Sequence, residues 1–152
     1  MTMSVAELER LLRADSEFEN LEFKEAKHTF DSRRLAHYVS GLANDGGGTL
    51  ILGVADELPR RIVGSTAWDE AGLVRKREDL YEQTGIRVRT EIVDHPDGPL
   101  IVFHVPERQA GRLVRVDDVA YTRVGSRLRR MSEDEMSAVY RELAGDFSAG
   151  IC

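Results

Sequence analysis

The sequence predicts a single α+β (mixed α/β) domain in which helices pack on a central mixed or antiparallel sheet, and three observations predict it. The chain has 152 residues, the usual size of one domain, and 41% of them are hydrophobic, enough to fill one core. Leu50, Ile51, Leu52 and Val54 form an apolar run with little alternation, the pattern of a strand buried on both faces. Around this run, apolar stripes at helical spacing follow helix-capping signatures. The domain is expected over residues 1–145. Residues 146–152 read as a tail in which Phe147, Ile151 and Cys152 have no further element to cover them, as at the start of a truncated downstream region.

Taken in order, Ser4 with Glu7 is a capping box that opens a first helix striped by Val5, Leu8, Leu11 and Leu12 and ending near Ala14 or Asp15. Residues 21–25 alternate apolar and charged, so Glu22 and Lys24 share the outer face of a half-buried strand. Asp31 or Ser32 caps a second helix that buries Leu35, Val39, Leu42 and Ala43, with His37 and Tyr38 on its flank as packed or solvated residues. Asn44, Asp45 and three glycines supply positive-φ turns that lead into the central strand, residues 49–54, expected between antiparallel neighbours. Residues 62–64 return as a short strand, making a hairpin around Asp56. Ser65 or Thr66 caps a third helix with Leu73, Val74, Leu80 and Tyr81 buried, stopped at Thr84-Gly85.

Residues 86–92 alternate in the manner of a one-sided strand, and the turn formers 94–98 join it to a partner over 100–105. Two short strands, 113–116 and 119–124, meet at Asp117-Asp118, and Gly125 breaks the second. Ser132 with Glu135 forms another capping box before a last helix striped by Met136, Val139, Tyr140 and Leu143.

The formal charge of −6 and pI near 5.3 argue against coating nucleic acid by bulk charge, which leaves a local basic patch as the form any such binding takes. The one cysteine, Cys152, excludes an internal disulfide and a zinc cluster of cysteines. The longest apolar run falls far short of the roughly 20 residues that span a bilayer, and the N-terminus lacks the basic start of a secretory signal. A soluble, cytoplasmic protein with no membrane partner is expected.

Three motifs bear on chemistry. The glycine cluster follows a helix and precedes a strand, the reverse of a phosphate loop, so the helix presents its negative end and no ATP site is expected. Glu17, Glu22 and Asp56, with Lys24 beside them, are oxygen donors suited to Mg²⁺ or Mn²⁺, which would activate water at a phosphate. The alternative stands beside it: a solvated Glu17, a Glu22 paired with Lys24 or an arginine, and Asp56 in a turn. Tyr121, Arg123, Arg127, Arg129 and Arg130 surround Gly125 and suit phosphate contacts and stacking on an unpaired base, or else a charged hairpin that serves solubility.

Four of these segments, in order, resemble the marks of the Schlafen-type Alba-like DNA-binding domain family. They are Leu21 with Glu22-Phe23-Lys24; Leu42-Ala43-Asn44-Asp45-Gly46-Gly47-Gly48-Thr49-Leu50; Gly53-Val54-Ala55-Asp56 with Ile62-Val63-Gly64; and Ala120-Tyr121-Thr122-Arg123-Val124-Gly125-Ser126. The resemblance covers most of residues 15–145. It implies a mixed α/β fold, an RNA or DNA partner, and two lobes paired as a clamp, hence a homodimer for a single-lobe chain. It also implies a carboxylate triad that cuts transfer and ribosomal RNA with a divalent metal, placed on Glu17, Glu22 and Asp56. Many bacterial relatives carry the domain in front of a longer regulator, which implies instead a noncatalytic DNA-binding, transcription-regulatory module. A protein-interaction domain with an acidic surface is the third expectation.

Overall fold

The computed structural model describes residues 2–14 and 20–151, with side chains to residue 143. Strand β2 (Gly48–Leu52) lies inside a four-stranded sheet with β1 (Leu21–Lys24), β5 (Arg89–His95) and β6 (Gly98–Val105), in the order β1-β2-β6-β5. The continuous apolar run therefore sits where both faces are covered, as its composition requires. The neighbours differ from expectation: β6 is antiparallel to β2 but β1 is parallel. Helix α2 (Ser32–Asn44) links β1 to β2, and such a crossover returns the chain in the same direction.

The register sets two cores. Glu22 lies opposite Leu50 and Phe23 opposite Ile51, so successive residues of β1 face opposite sides of the sheet. On one side Leu35, Val39 and Leu42 of α2 pack on Leu50, Leu52, Ile101 and Phe103. On the other, Leu8 and Leu12 of α1 (Val5–Leu12) pack on Leu21, Phe23, Ile51 and Val102. Strand β1, expected half-buried, is thus covered on both faces, and Glu22 is only 2% exposed.

Local signals place most helix ends. Ser4 Oγ accepts the Glu7 N–H at 3.1 Å, and Asp31 Oδ1 accepts the N–H groups of Arg33 and Arg34 at 2.8 and 3.1 Å. Helix α3 (Glu70–Thr84) starts later than expected, capped by Asp69. Ser65 is instead drawn into the core loop, where its N–H donates to Pro99 O and its hydroxyl to Ala26 O. Leu73 and Leu80 are buried as expected, whereas Val74 and Tyr81 are exposed. Strand β5 begins three residues later than the alternation suggests and runs through His95, so that only Pro96 and Asp97 turn the chain into β6.

β3 (Val54–Ala55) and β4 (Arg61–Ile62) form the hairpin expected around Asp56. β7 (Arg115–Val116) and β8 (Val119–Val124) meet at Asp117 and Asp118, both at positive φ (50° and 66°), as a two-residue hairpin turn requires. β8 pairs in turn with β9 (Arg127–Arg130). The last helix, α4 (Glu133–Ile151), opens on a complete capping box, Glu135 Oε1 accepting Ser132 N–H and Ser132 Oγ accepting Glu135 N–H. Its backbone continues as helix through most of the stretch expected to be a tail.

The glycine-rich corner between α2 and β2 is a structural turn. Of its five residues only Gly46 and Gly47 take positive φ (101° and 90°); Asn44 is still helical and Gly48 already strand. Asn20 clamps the corner by donating to Asp45 O and Gly47 O. A Cβ on Gly47 would lie 2.9 Å from Glu107 N, too close for any other residue without movement.

Candidate nucleic-acid interface

The hairpin β8–β9 is held against α2 by side chains that replace strand partners. Ser40 Oγ donates to Val114 O and accepts Tyr121 N–H, while Asn44 donates to Val114 O and Tyr121 O and accepts Val114 N–H. Four backbone groups of the hairpin region thus end on two side chains one helical turn apart. Gly41 lies between them, and a Cβ there would collide with Leu128. Fixing the hairpin in this way decides which of its arginines face water.

The five residues predicted to contact nucleic acid separate accordingly. Tyr121 lies partly buried, its ring stacked on His37 with centroids 4.5 Å apart. Arg123, 5% exposed, turns inward: its Nε and Nη2 donate to Glu22 Oε2 at 3.1 and 3.0 Å, and Nη2 also donates to Leu21 O. Arg127 and Arg130 are exposed and form no ion pair among the described residues. Arg129 is exposed but grips Glu135 through two bonds of 2.8 and 2.9 Å. That contact, with the Ser132 N–H, holds the Glu135 carboxyl down at a pKa of about 2.

The carboxylates are engaged as well. Glu22 Oε1 lies 3.3 Å from Lys24 Nζ while Oε2 faces Arg123, so one buried carboxylate carries two cations. Burial works to lower the Lys24 pKa, yet the Tyr38 hydroxyl and Glu22 together leave it above the ordinary value. Asp56 pairs with Arg60 at 3.2 Å, and Arg60 also donates to Leu12 O and Ala14 O and lies 4.3 Å from the Phe23 ring centroid. Phe23 faces the α1 side of β1 and Glu22 the α2 side, and Glu22 and Asp56 are each engaged by cations of the protein. Glu17 lies outside the described residues.

Among the described residues no group of three or more histidine, cysteine or acidic side chains is placed to hold a metal ion. Each oxygen of Glu22 is occupied by a cation of the protein and Asp56 is paired with Arg60, so a hard divalent ion would have to displace these cations to bind there.

Two concavities flank these groups. The larger, about 910 Å³, lies between α1 and the β3–β4 hairpin, and Glu9, Glu25, Asp56, Glu57 and Asp97 outnumber the cations on its wall. Such a lining repels phosphate. The smaller, about 360 Å³, runs between α2 and the β8–β9 turn, lined by Arg34, His37, Tyr38, Ser126, Arg127 and Leu128, with no acid at all. Sequence reasoning left out Arg34 and placed His37 on an ordinary helix flank. The available signal was the pair of basic and aromatic dipeptides Arg33-Arg34 and His37-Tyr38, whose members repeat at helical spacing in the first turns of α2.

The family model described as Schlafen, AlbA_2 matches residues 17–132. The crystal structure of the DIP2311 protein from Corynebacterium diphtheriae is similar over 90% of this chain at 20% identity, with a TM-score of 0.67; the match covers 31% of that chain. The solution structure of the N-terminal domain of a RecG-related protein from Nitrosomonas europaea is similar over 88% of this chain and 91% of that one, at 22% identity and a TM-score of 0.53. Both likenesses concern the fold. No curated protein matches the chain.

Proposed function

This chain belongs to the Schlafen, AlbA_2 family, and from that premise we propose that it is a nucleic-acid-binding domain that holds the phosphate backbone at the exposed arginines of β9 without cutting it. The observation that carries this reading is the division of the arginines. Arg123 is turned in to neutralise Glu22, whereas Arg127 and Arg130 stay in water with no ion pair among the described residues. Exposed guanidinium groups beside an acid-free groove supply local positive charge on an acidic chain, and phosphate contact needs little more. The domain from Nitrosomonas europaea is described as part of a DNA helicase RecG-related protein, in keeping with such a partner.

A second reading, a metal-dependent RNA endonuclease acting on transfer-RNA-like substrates, finds support in the Glu22–Lys24 pair at 3.3 Å on one face of β1. It requires Arg123 to release Glu22 and Asp56 to leave Arg60, and a clamp would add a homodimer. Incubating the protein with transfer RNA and with plasmid DNA, each with Mn²⁺ and with chelator, separates the two. Retarded but intact nucleic acid in both conditions is the expected result. Cleavage that needs Mn²⁺ and disappears in Glu22→Ala would establish the endonuclease, and no retardation at all would remove both.

A further inference from the structure

The acid-free groove between α2 and the β8–β9 turn has features that backbone binding alone does not use. Its walls carry two arginines, Arg34 and Arg127, neither in an ion pair among the described residues. Arg34 is held in place: its guanidinium lies 5.8 Å from the ring centroids of both Phe30 and Tyr38, and Nη2 donates to the Tyr38 hydroxyl at 3.3 Å. Its remaining N–H groups are left for a ligand, and the side chain has already given up much of its rotamer freedom. Arg127 and Ser126 face it from the turn.

His37 lines the same groove. Tyr121 covers one side of the imidazole, so what the ring offers the groove is the side away from Tyr121. Burial, helped by the charge of Arg33, keeps the His37 pKa below its ordinary value, so near neutral pH the ring is a flat uncharged surface. A planar ring continued from an existing stack and flanked by two guanidinium groups matches a base with a phosphate beside it. A volume of about 360 Å³ is at the small end of ligand sites, suited to one nucleotide rather than several.

We propose that this groove takes a single unpaired nucleotide of the bound strand, its base stacked on His37 and its phosphate between Arg34 and Arg127. The inference rests on the nucleic-acid-binding reading given above and adds to it the class of strand preferred. Inside a duplex both faces of a base are covered by its neighbours, so only an unpaired base can extend the His37–Tyr121 stack. Stacking is indifferent to sequence and to the sugar, so RNA and DNA single strands qualify alike.

The test is fluorescence anisotropy with one labelled short oligonucleotide in three forms: single-stranded, carrying abasic sites, and annealed to its complement, as RNA and again as DNA. The intact single strand should bind about tenfold tighter than the abasic strand and the duplex, the loss expected for one base–aromatic stack. His37→Ala should bring the intact strand down to the abasic level with an unchanged urea midpoint. Equal affinity for all three forms overturns the inference and leaves nucleic-acid binding standing. No binding to any form overturns both. The abasic comparison uses the unaltered protein, so it decides the matter even if His37→Ala folds poorly.

Discussion

Arg123 and Arg127 face each other's strands four residues apart on one hairpin, and they do opposite things. Arg123 sits at the inner end of a buried ion-pair cluster with Glu22 and Lys24, closed off from water by α2 and β1. Arg127 stands at the turn, in solvent, on the wall of an acid-free groove. The same side-chain chemistry is structural in one place and available for recognition in the other. What separates them is the pleat: β8 and β9 pair Arg123 with Leu128 and Val124 with Arg127, and the side carrying Leu128 is the one that Gly41 of α2 receives.

The comparison breaks most visibly if the inner arginine is removed. Arg123→Ala leaves Glu22 in a site that is 2% exposed, still paired with Lys24 but without its guanidinium, and removing one member of a buried pair costs about 3–5 kcal/mol. Urea unfolding measures this. Replacing both partners, Glu22→Leu with Arg123→Met, should recover most of the loss, since no carboxylate then remains buried. A single variant as stable as the parent would mean that Arg123 is not structural and would return it to the binding surface.

How much of this was legible in the sequence follows from the range of each cause. The capping boxes at Ser4 and Ser132, the Asp117-Asp118 turn and the buried strand are set by residues within a few positions of one another, and they were readable. For Glu22 the sequence left two readings open, a metal ligand or a partner of Lys24 or an arginine, and the pairing is what forms. Which arginine was not legible: Arg123 lies 101 residues away, and Leu21-Glu22-Phe23-Lys24 reads the same whether Glu22 faces water or a guanidinium. Alternation gives the parity of a strand but not which face another element will cover, which is why β1 looked half-buried. The pairing of Asp56 has the same range of cause: Arg60, which holds it, is itself fixed by contacts made 46 and 48 residues away, to Ala14 O and Leu12 O. His37 and Arg34 went unread because a flank residue gains meaning only when the hairpin closes a groove beside it.

A smaller effect sharpens the intermediate case of Arg129, exposed yet tied to Glu135. The Glu135 carboxyl has a folded-state pKa of about 2 against an ordinary 4.5. A carboxyl lowered on folding contributes stability that is present above pH 4.5 and lost as the pH falls toward 2. Both side chains are partly in water, so the contribution should stay below about 1 kcal/mol. Thermal melts of Glu135→Gln and the parent at pH 7 and pH 2 check it: the variant should be slightly less stable at pH 7 and equal at pH 2. The same gap at both values would mean that the contact is not ionic.

The most direct test of the division between inner and outer arginines is the salt dependence of nucleic-acid affinity in Arg127→Ala/Arg130→Ala. Two lost phosphate contacts should flatten the plot of log affinity against log salt by about 0.7 per contact on a single strand, with the urea midpoint where it was in the parent. An unchanged slope with full affinity would contradict the account, because the phosphate would then be held by groups other than Arg127 and Arg130.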